Sequence, residues 1–297
     1  MNSLSLDHII TYTNAHNIDE YLKLWKKQGF YVSPLTVRHA PGKRNGFVYI
    51  GSVYLELMWV ENEKEFEKGK KYYDYFFRKY CAPYGIAFSS LNIHKVHADL
   101  KKRGYRIGPV WSKAPDHALP EEPAWWSFQS LSRYHLPGVW SFILTYHVKK
   151  KDKVPRSLRI GKNSISSVSG ITFITRYAAR RARKWAKFFA LSKTVVSRLG
   201  EHTFFLEDKK LTWMTPRKFA QKYKINGISR KKKFHYMQEI GLIHVNAHSL
   251  SRVEQYMKKA GRKIRLFEEA GQKKLLLLPQ PQDGIVFLVT EEKTRVV

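Results

Sequence analysis

The sequence predicts an α+β chain made of four copies of one order of elements: a strand, a helix, then three strands. Two observations carry this expectation. Strand-like alternation and helix-like apolar faces follow one another in the same order from about residues 5, 85, 168 and 241. Glycines Gly29, Gly104 and Gly261 close three of the four helical stretches, as a left-handed cap requires.

The elements follow in order. Ser5 to Thr13 alternates as a strand, and Ile18 to Gln28 sets Tyr21, Leu22, Leu24 and Trp25 on one helical face. Strands are predicted at Phe30–Val37, Gly46–Ile50 and Val53–Trp59, the last two joined by Gly51-Ser52, a pair suited to a hairpin turn. A helix over Lys64–Tyr80 leads to the second copy: strand Gly85–Ser90, helix Ile93–Arg103, and strands Tyr105–Trp111, Trp125–Ser130 and Val139–Tyr146. The third copy has strand Val168–Thr175, helix Ala178–Leu191 and strands near Thr194–Leu199, His202–Glu207 and Lys210–Met214. The fourth has strand Gly241–Asn246, helix Leu250–Ala260 and strands near Lys263–Phe267, Lys274–Leu278 and Ile285–Thr290.

The polar stretch Lys149 to Ser167 divides the chain, so the expected domains are residues 1–148 and 165–297, with a basic linker over 149–164. Charge differs sharply across that line. Residues 1–148 hold 19 basic and 13 acidic side chains, residues 149–297 hold 35 and 11, and the whole chain carries +30. A field of this sign attracts a polyanion, whether nucleic acid, anionic membrane or an acidic partner, and equally serves as a solubilising surface. The helix at 178–191 concentrates it: Arg176, Arg180, Arg183 and Lys187 form one face, opposite Ala178, Ala182, Trp185 and Phe189. The runs Lys149-Lys150-Lys151 and Ser229 to Lys233 add to the same half.

Cys81 is the only cysteine, which excludes an internal disulfide and a thiolate cluster within one chain; a packing role is expected. No apolar run reaches the length of about 18 residues that a membrane helix needs, and the first residues lack a secretory pattern. A soluble, cytoplasmic protein is expected. Phosphate-cradling glycine loops, dinucleotide fingerprints and serine nucleophile elbows are absent from the sequence.

Several segments of the first half resemble the glyoxalase-like domain of the vicinal oxygen chelate superfamily. They are Leu6-Asp7-His8-Ile9, Gln28-Gly29-Phe30, the loop Arg38-His39-Ala40-Pro41-Gly42 with Asn45, and Tyr54-Leu55-Glu56-Leu57. The resemblance implies βαβββ modules paired into two glyoxalase-like domains, each module pair enclosing a cup for a small-molecule substrate with vicinal oxygens. It places His8 and Glu56 at metal-ligand positions, for zinc, manganese, iron or nickel. Glu56 and His39 become the candidate catalytic residues, with Arg38 and Asn45 as binding groups beside them. Trp126 and Phe128 become candidate substrate contacts on an aromatic, glutamine-bearing strand.

Strand alternation independently puts Leu6, His8 and Ile10 on one face and Tyr54, Glu56 and Met58 on another. A hydrogen-bonded His–Glu pair without ligand remains the alternative reading. Aligning strand starts sets Phe88 against His8 and Phe142 against Glu56, and neither ring can ligate a metal. In the second half the matching positions are Gly170 and Thr212, with Leu288 and His244 at the others, so that half is expected to be degenerate.

Overall fold

The computed structural model describes residues 4–34, 36–69, 82–113, 124–132, 134–147, 160–191, 195–225, 239–282 and 284–292, with the backbone alone at 39, 40, 69 and 239. The first repeat runs β1 (Ser5–Tyr12), α1 (Ile18–Lys27), β2 (Tyr31–Val32), β3 (Val37–Ala40), β4 (Lys43–Ile50) and β5 (Val53–Val60), with α2 (Glu63–Gly69) after it. The second runs β6 (Pro83–Ser89), α3 (Ile93–Lys102), β7 (Trp111–Lys113), β8 (Trp126–Leu131) and β9 (Trp140–Tyr146). The third runs β10 (Ile165–Ile174), α4 (Ala178–Phe188), β11 (Val196–Arg198), β12 (Glu201–Leu206) and β13 (Lys209–Met214), with α5 (Pro216–Tyr223) after it. The fourth runs β14 (Glu239–Ala247), α6 (Leu250–Lys259), β15 (Ile264–Glu269), β16 (Gln272–Leu277) and β17 (Phe287–Glu291). The α+β class and the βαβββ repeat are thus present.

The strands make two sheets, in the orders β2-β4-β5-β1-β6-β9-β8-β7, with β3 on β4, and β11-β12-β13-β10-β14-β17-β16-β15. The first strand of the second repeat lies parallel to its last, and the fourth repeat does the same. A parallel pair needs a long crossover, which the intervening helix begins.

Local chemistry explains the helix ends. Asn17 caps α1 by accepting from the backbone of Asp19 and Glu20, and Lys26 and Lys27 oppose the dipole in its last turn. Ser249 caps α6 through the backbone N–H of Arg252. Gly29, Gly104 and Gly261 all adopt positive φ after their helices. A Cβ on Gly29 would also lie 2.8 Å from the backbone nitrogen of Asn163, so close approach adds to the conformational demand.

Three expectations are corrected. The strand foreseen over Phe30–Val37 is broken into β2 and β3, because Pro34 has no N–H for the ladder. Only Trp111–Lys113 is strand where Tyr105–Trp111 was expected; Gly108 and Pro109 interrupt the alternation, and the Gly108 carbonyl accepts from Gln129 instead. The helix α5 was not foreseen, although Thr215 followed by Pro216 is a start signal. Of the helix expected over Lys64–Tyr80, Glu63–Gly69 is seen, and residues 70–81, with Cys81, lie outside the described part.

The chain forms two compact units, each drawn from three stretches of sequence. One comprises Met1–Ile9, Tyr84–Val154 and Phe173–Glu239, the other Ile10–Pro83, Pro155–Thr172 and Ile240–Val297. In the first unit the core is aromatic: Phe173 and Phe204 stack on Trp213 at 4.7 and 5.2 Å, and Phe88 meets Trp185 and Phe189. In the second unit Trp25 packs edge-on against Phe30 and Phe287. The wholly buried Gln28 there accepts a hydrogen bond from Arg262 at 3.0 Å.

Candidate functional site

In the second unit the polar centre is made by β4 and β5. Their hairpin register pairs Phe47 with Glu56 and Asn45 with Met58, so Asn45 sits diagonally across from Glu56 on one face. Glu56 is 7% exposed and Asn45 fully buried. A carboxylate taken out of water needs donors, and the Asn45 amide nitrogen donates to Glu56 Oε1. The other end of that amide, Asn45 Oδ1, is a buried acceptor with no hydrogen-bond partner among the described residues.

The neighbouring loop is held by Glu65 on α2. Its carboxylate accepts from the Gly42 backbone N–H at 3.0 Å and from Arg38 at 2.6 Å. Arg38 is therefore committed to an exposed ion pair, its side chain 55% accessible. His39 was expected in a loop; its backbone lies in β3, at the register shift between Arg38 and Ala40. Its side chain lies outside the described part.

In the first unit, His8 is 3% exposed on β1. Its Nδ1 meets Asp7 Oδ2 at 2.7 Å, and the same carboxylate oxygen accepts from the Tyr146 hydroxyl at 2.9 Å. The Phe142 ring stands edge-on to the imidazole, with centroids 5.5 Å apart. An acidic partner on Nδ1 favours the proton there and places the ring's lone pair on Nε2.

Register carries this face onward. Trp126 pairs with Tyr146, Phe128 with Leu144 and Ser130 with Phe142, so the expected substrate contacts Trp126 and Phe128 share a sheet face with the groups around His8. They are half-buried, whereas Ser127 and Gln129 point to the opposite, buried side. There the Gln129 amide donates to His97 Nδ1 and to the Gly108 carbonyl, both at 2.7 Å.

The alignment of Phe88 with His8 is corrected. Ala87 pairs with Phe142 across β6 and β9, while Phe88 turns to the other side, against Trp185 and Phe189. A shift of one residue along a strand exchanges its faces. In the second half, His244 Nε2 hydrogen-bonds Thr172 at 2.7 Å and Thr212 bonds Thr203 at 3.0 Å. Leu288 is fully buried.

Among the described residues, no group of three or more His, Cys, Asp or Glu side chains is placed to hold a metal ion. His8 and Glu56, the ligand positions that the resemblance implies, lie in the first and the second unit respectively, and the side chain of His39 lies outside the described part.

A family model described as a glyoxalase-like domain matches residues 6–189. The chain belongs to the glyoxalase-like domain family. No curated protein matches this family member's sequence. Among solved structures, a hypothetical protein from Staphylococcus aureus is similar over 97% of this chain and 100% of its own, with TM-score 0.61 and 13% identity. A triple mutant of 4-hydroxymandelate synthase from Streptomyces coelicolor is similar over 98% of this chain and 93% of its own, with TM-score 0.59 and 9% identity. A catechol 2,3-dioxygenase is similar over 99% and 89%, with TM-score 0.56 and 11% identity. At such identities the likeness establishes the vicinal oxygen chelate fold of this glyoxalase-like protein and leaves its reaction to the site.

Sequence reasoning missed Tyr146 and the part played by Asp7. The two lie 139 residues apart, and only strand pairing brings the hydroxyl to the carboxylate. No helix among the described residues is long and apolar enough to cross a membrane.

Proposed function

We propose that this glyoxalase-like protein binds a small molecule bearing neighbouring oxygen atoms and moves a proton on it, with Glu56 as proton acceptor. The observation that carries the reading is the fully buried Asn45, which donates to Glu56 Oε1 and keeps a buried carbonyl oxygen without a partner among the described residues. Leaving such an acceptor unmade costs about 1–3 kcal/mol, so the pair is suited to a ligand that brings a hydroxyl. Glu56 and Asn45 then offer two adjacent acceptors, the pattern that two vicinal hydroxyls require.

Asn45 orients the carboxylate through its amide N–H, and Glu56 accepts a proton from the ligand. Within the first unit, Asp7 holds the imidazole of His8 and accepts in turn from Tyr146, with Trp126 and Phe128 paired to the strand that carries Tyr146. A divalent metal, whether zinc, manganese, iron or nickel, is implied by the resemblance at His8 and Glu56. No step of this reading depends on one.

The test is ligand-detected NMR with a panel of vicinal diols, α-hydroxy acids and α-hydroxy ketones. At least one member should bind the wild type and lose binding in Glu56→Gln and Asn45→Leu. Binding that both variants leave unchanged would overturn the reading.

A further inference from the structure

The positive charge of the second half is not evenly spread. Residues 173–225 hold fourteen basic and three acidic side chains, whereas residues 239–292 hold eight and seven. Of the fourteen, five lie on α4 of the first unit and Arg176 just before it. Ala178, Ala182, Trp185, Ala186 and Phe188 are buried in the core, which fixes the helix and leaves Arg180, Arg183, Lys184 and Lys187 exposed, with Arg176 just before it.

The four exposed cations and Arg176 have no carboxylate partner among the described residues. Cations elsewhere do have one: Lys23 pairs with Glu20, Lys222 with Glu201, Lys258 with Glu254 and Lys274 with Glu269. Past the helix end the half-buried Arg103, itself paired with Asp99 at 3.5 Å, donates to the carbonyls of Lys187 and Phe188 at 2.7 and 2.8 Å and so satisfies the C-terminal carbonyls of α4.

We propose that the outer face of α4, with Arg176 just before it, is a docking surface for the phosphate backbone of nucleic acid. Guanidinium groups match phosphate oxygens in a planar, two-pronged geometry, and they make up most of the stripe. From Arg180 to Lys187 the helix rises about 10 Å, and one DNA strand advances about 3.4 Å per phosphate, so the face spans several phosphates. A membrane surface fits less well. An interfacial helix inserts its apolar face into lipid, and here that face is already in the core. Burial, and then the charge of Arg183, holds His202 below the ordinary histidine range. Burial, with Lys184 adding to it, does the same to His135, so the field extends to both flanks of the helix.

The test is fluorescence anisotropy of a labelled 20-base-pair DNA duplex of mixed sequence with the full chain, between 50 and 200 mM salt. One triple variant, Arg180→Ala with Arg183→Ala and Lys187→Ala, is compared with a control that removes equal charge elsewhere: Lys259→Ala, Lys263→Ala and Lys273→Ala. All six side chains are exposed, so both variants should fold. The first should weaken binding at least tenfold and reduce the steepness of log affinity against log salt by about 3, while the control changes it by less than about 1. Equal losses in both variants would assign binding to diffuse charge and overturn the proposal. So would failure to bind the duplex at 50 mM salt, or preference for phosphatidylserine vesicles over it.

Discussion

Asn45 and Glu56, eleven residues apart on the two arms of one hairpin, share a buried hydrogen bond in which the amide donates and the carboxylate accepts. Each needs the other. Asn45→Leu keeps the volume but strips a buried carboxylate of its donor, so it should destabilise the protein by about 1–3 kcal/mol, read as a lower urea midpoint. Glu56→Gln keeps an oxygen for Asn45 to donate to, and its midpoint should stay close to wild type.

Arg262 is almost wholly buried, and among its hydrogen bonds are those to Gln28 Oε1, the Leu278 carbonyl and the Ile285 carbonyl. Its guanidinium also lies over Trp25 and Phe287. An ammonium cannot reproduce that planar set of donors, so Arg262→Lys should be far from conservative. Arg262→Ala should cost roughly 3–5 kcal/mol, because it leaves two buried acceptors and one part-buried acceptor unmade and two rings without their cation. Equilibrium urea unfolding of both variants checks this.

His135 sits between Tyr105 and Phe188. Burial pushes its pKa down, Lys184 adds to the shift, and a backbone hydrogen bond involving Arg106 opposes it. The folded state therefore binds its proton less readily than the unfolded chain, whose histidine titrates near 6.5. The associated stability is complete above that value and declines as pH falls below it. His135→Phe should flatten this part of the profile, measured as the urea midpoint at pH 7 against pH 5.

Gly42 stands in the turn between β3 and β4 with φ +68°, and a Cβ there would lie 2.4 Å from the Asn62 carbonyl oxygen and the Phe66 nitrogen. Gly42→Ala should therefore destabilise by more than about 1 kcal/mol and weaken ligand binding through the hairpin that carries Asn45. Thermal unfolding and the ligand panel read the two effects separately.

The order of elements was legible because alternation, helical faces and glycine caps are local properties of the chain. The split at Pro34, the short β7 and the helix after Thr215 show where local reading fell short, in each case at a proline or glycine whose effect was underweighted. Alternation correctly separated Trp126 and Phe128 from Ser127 and Gln129, since period two holds within a strand whatever its neighbours. It failed for Phe88, because matching two strands by their starts requires the register, which pairing with β9 decides. Asn45 and Glu56 were each identifiable as residues, yet the donor and acceptor roles depend on hairpin register. The Asp7–Tyr146 bond joins distant strands and left no signal in spacing. Part of the charge difference between the halves is readable in one helix: α4 needs one apolar face for its core, and its other face carries cations.

The most direct test of the Glu56–Asn45 account is equilibrium binding of whichever panel member responds, measured by calorimetry on chelator-treated protein and on Glu56→Gln. Binding that survives chelation and weakens at least tenfold in Glu56→Gln is the predicted result. Binding abolished by the chelator and restored by zinc, manganese, iron or nickel would contradict it.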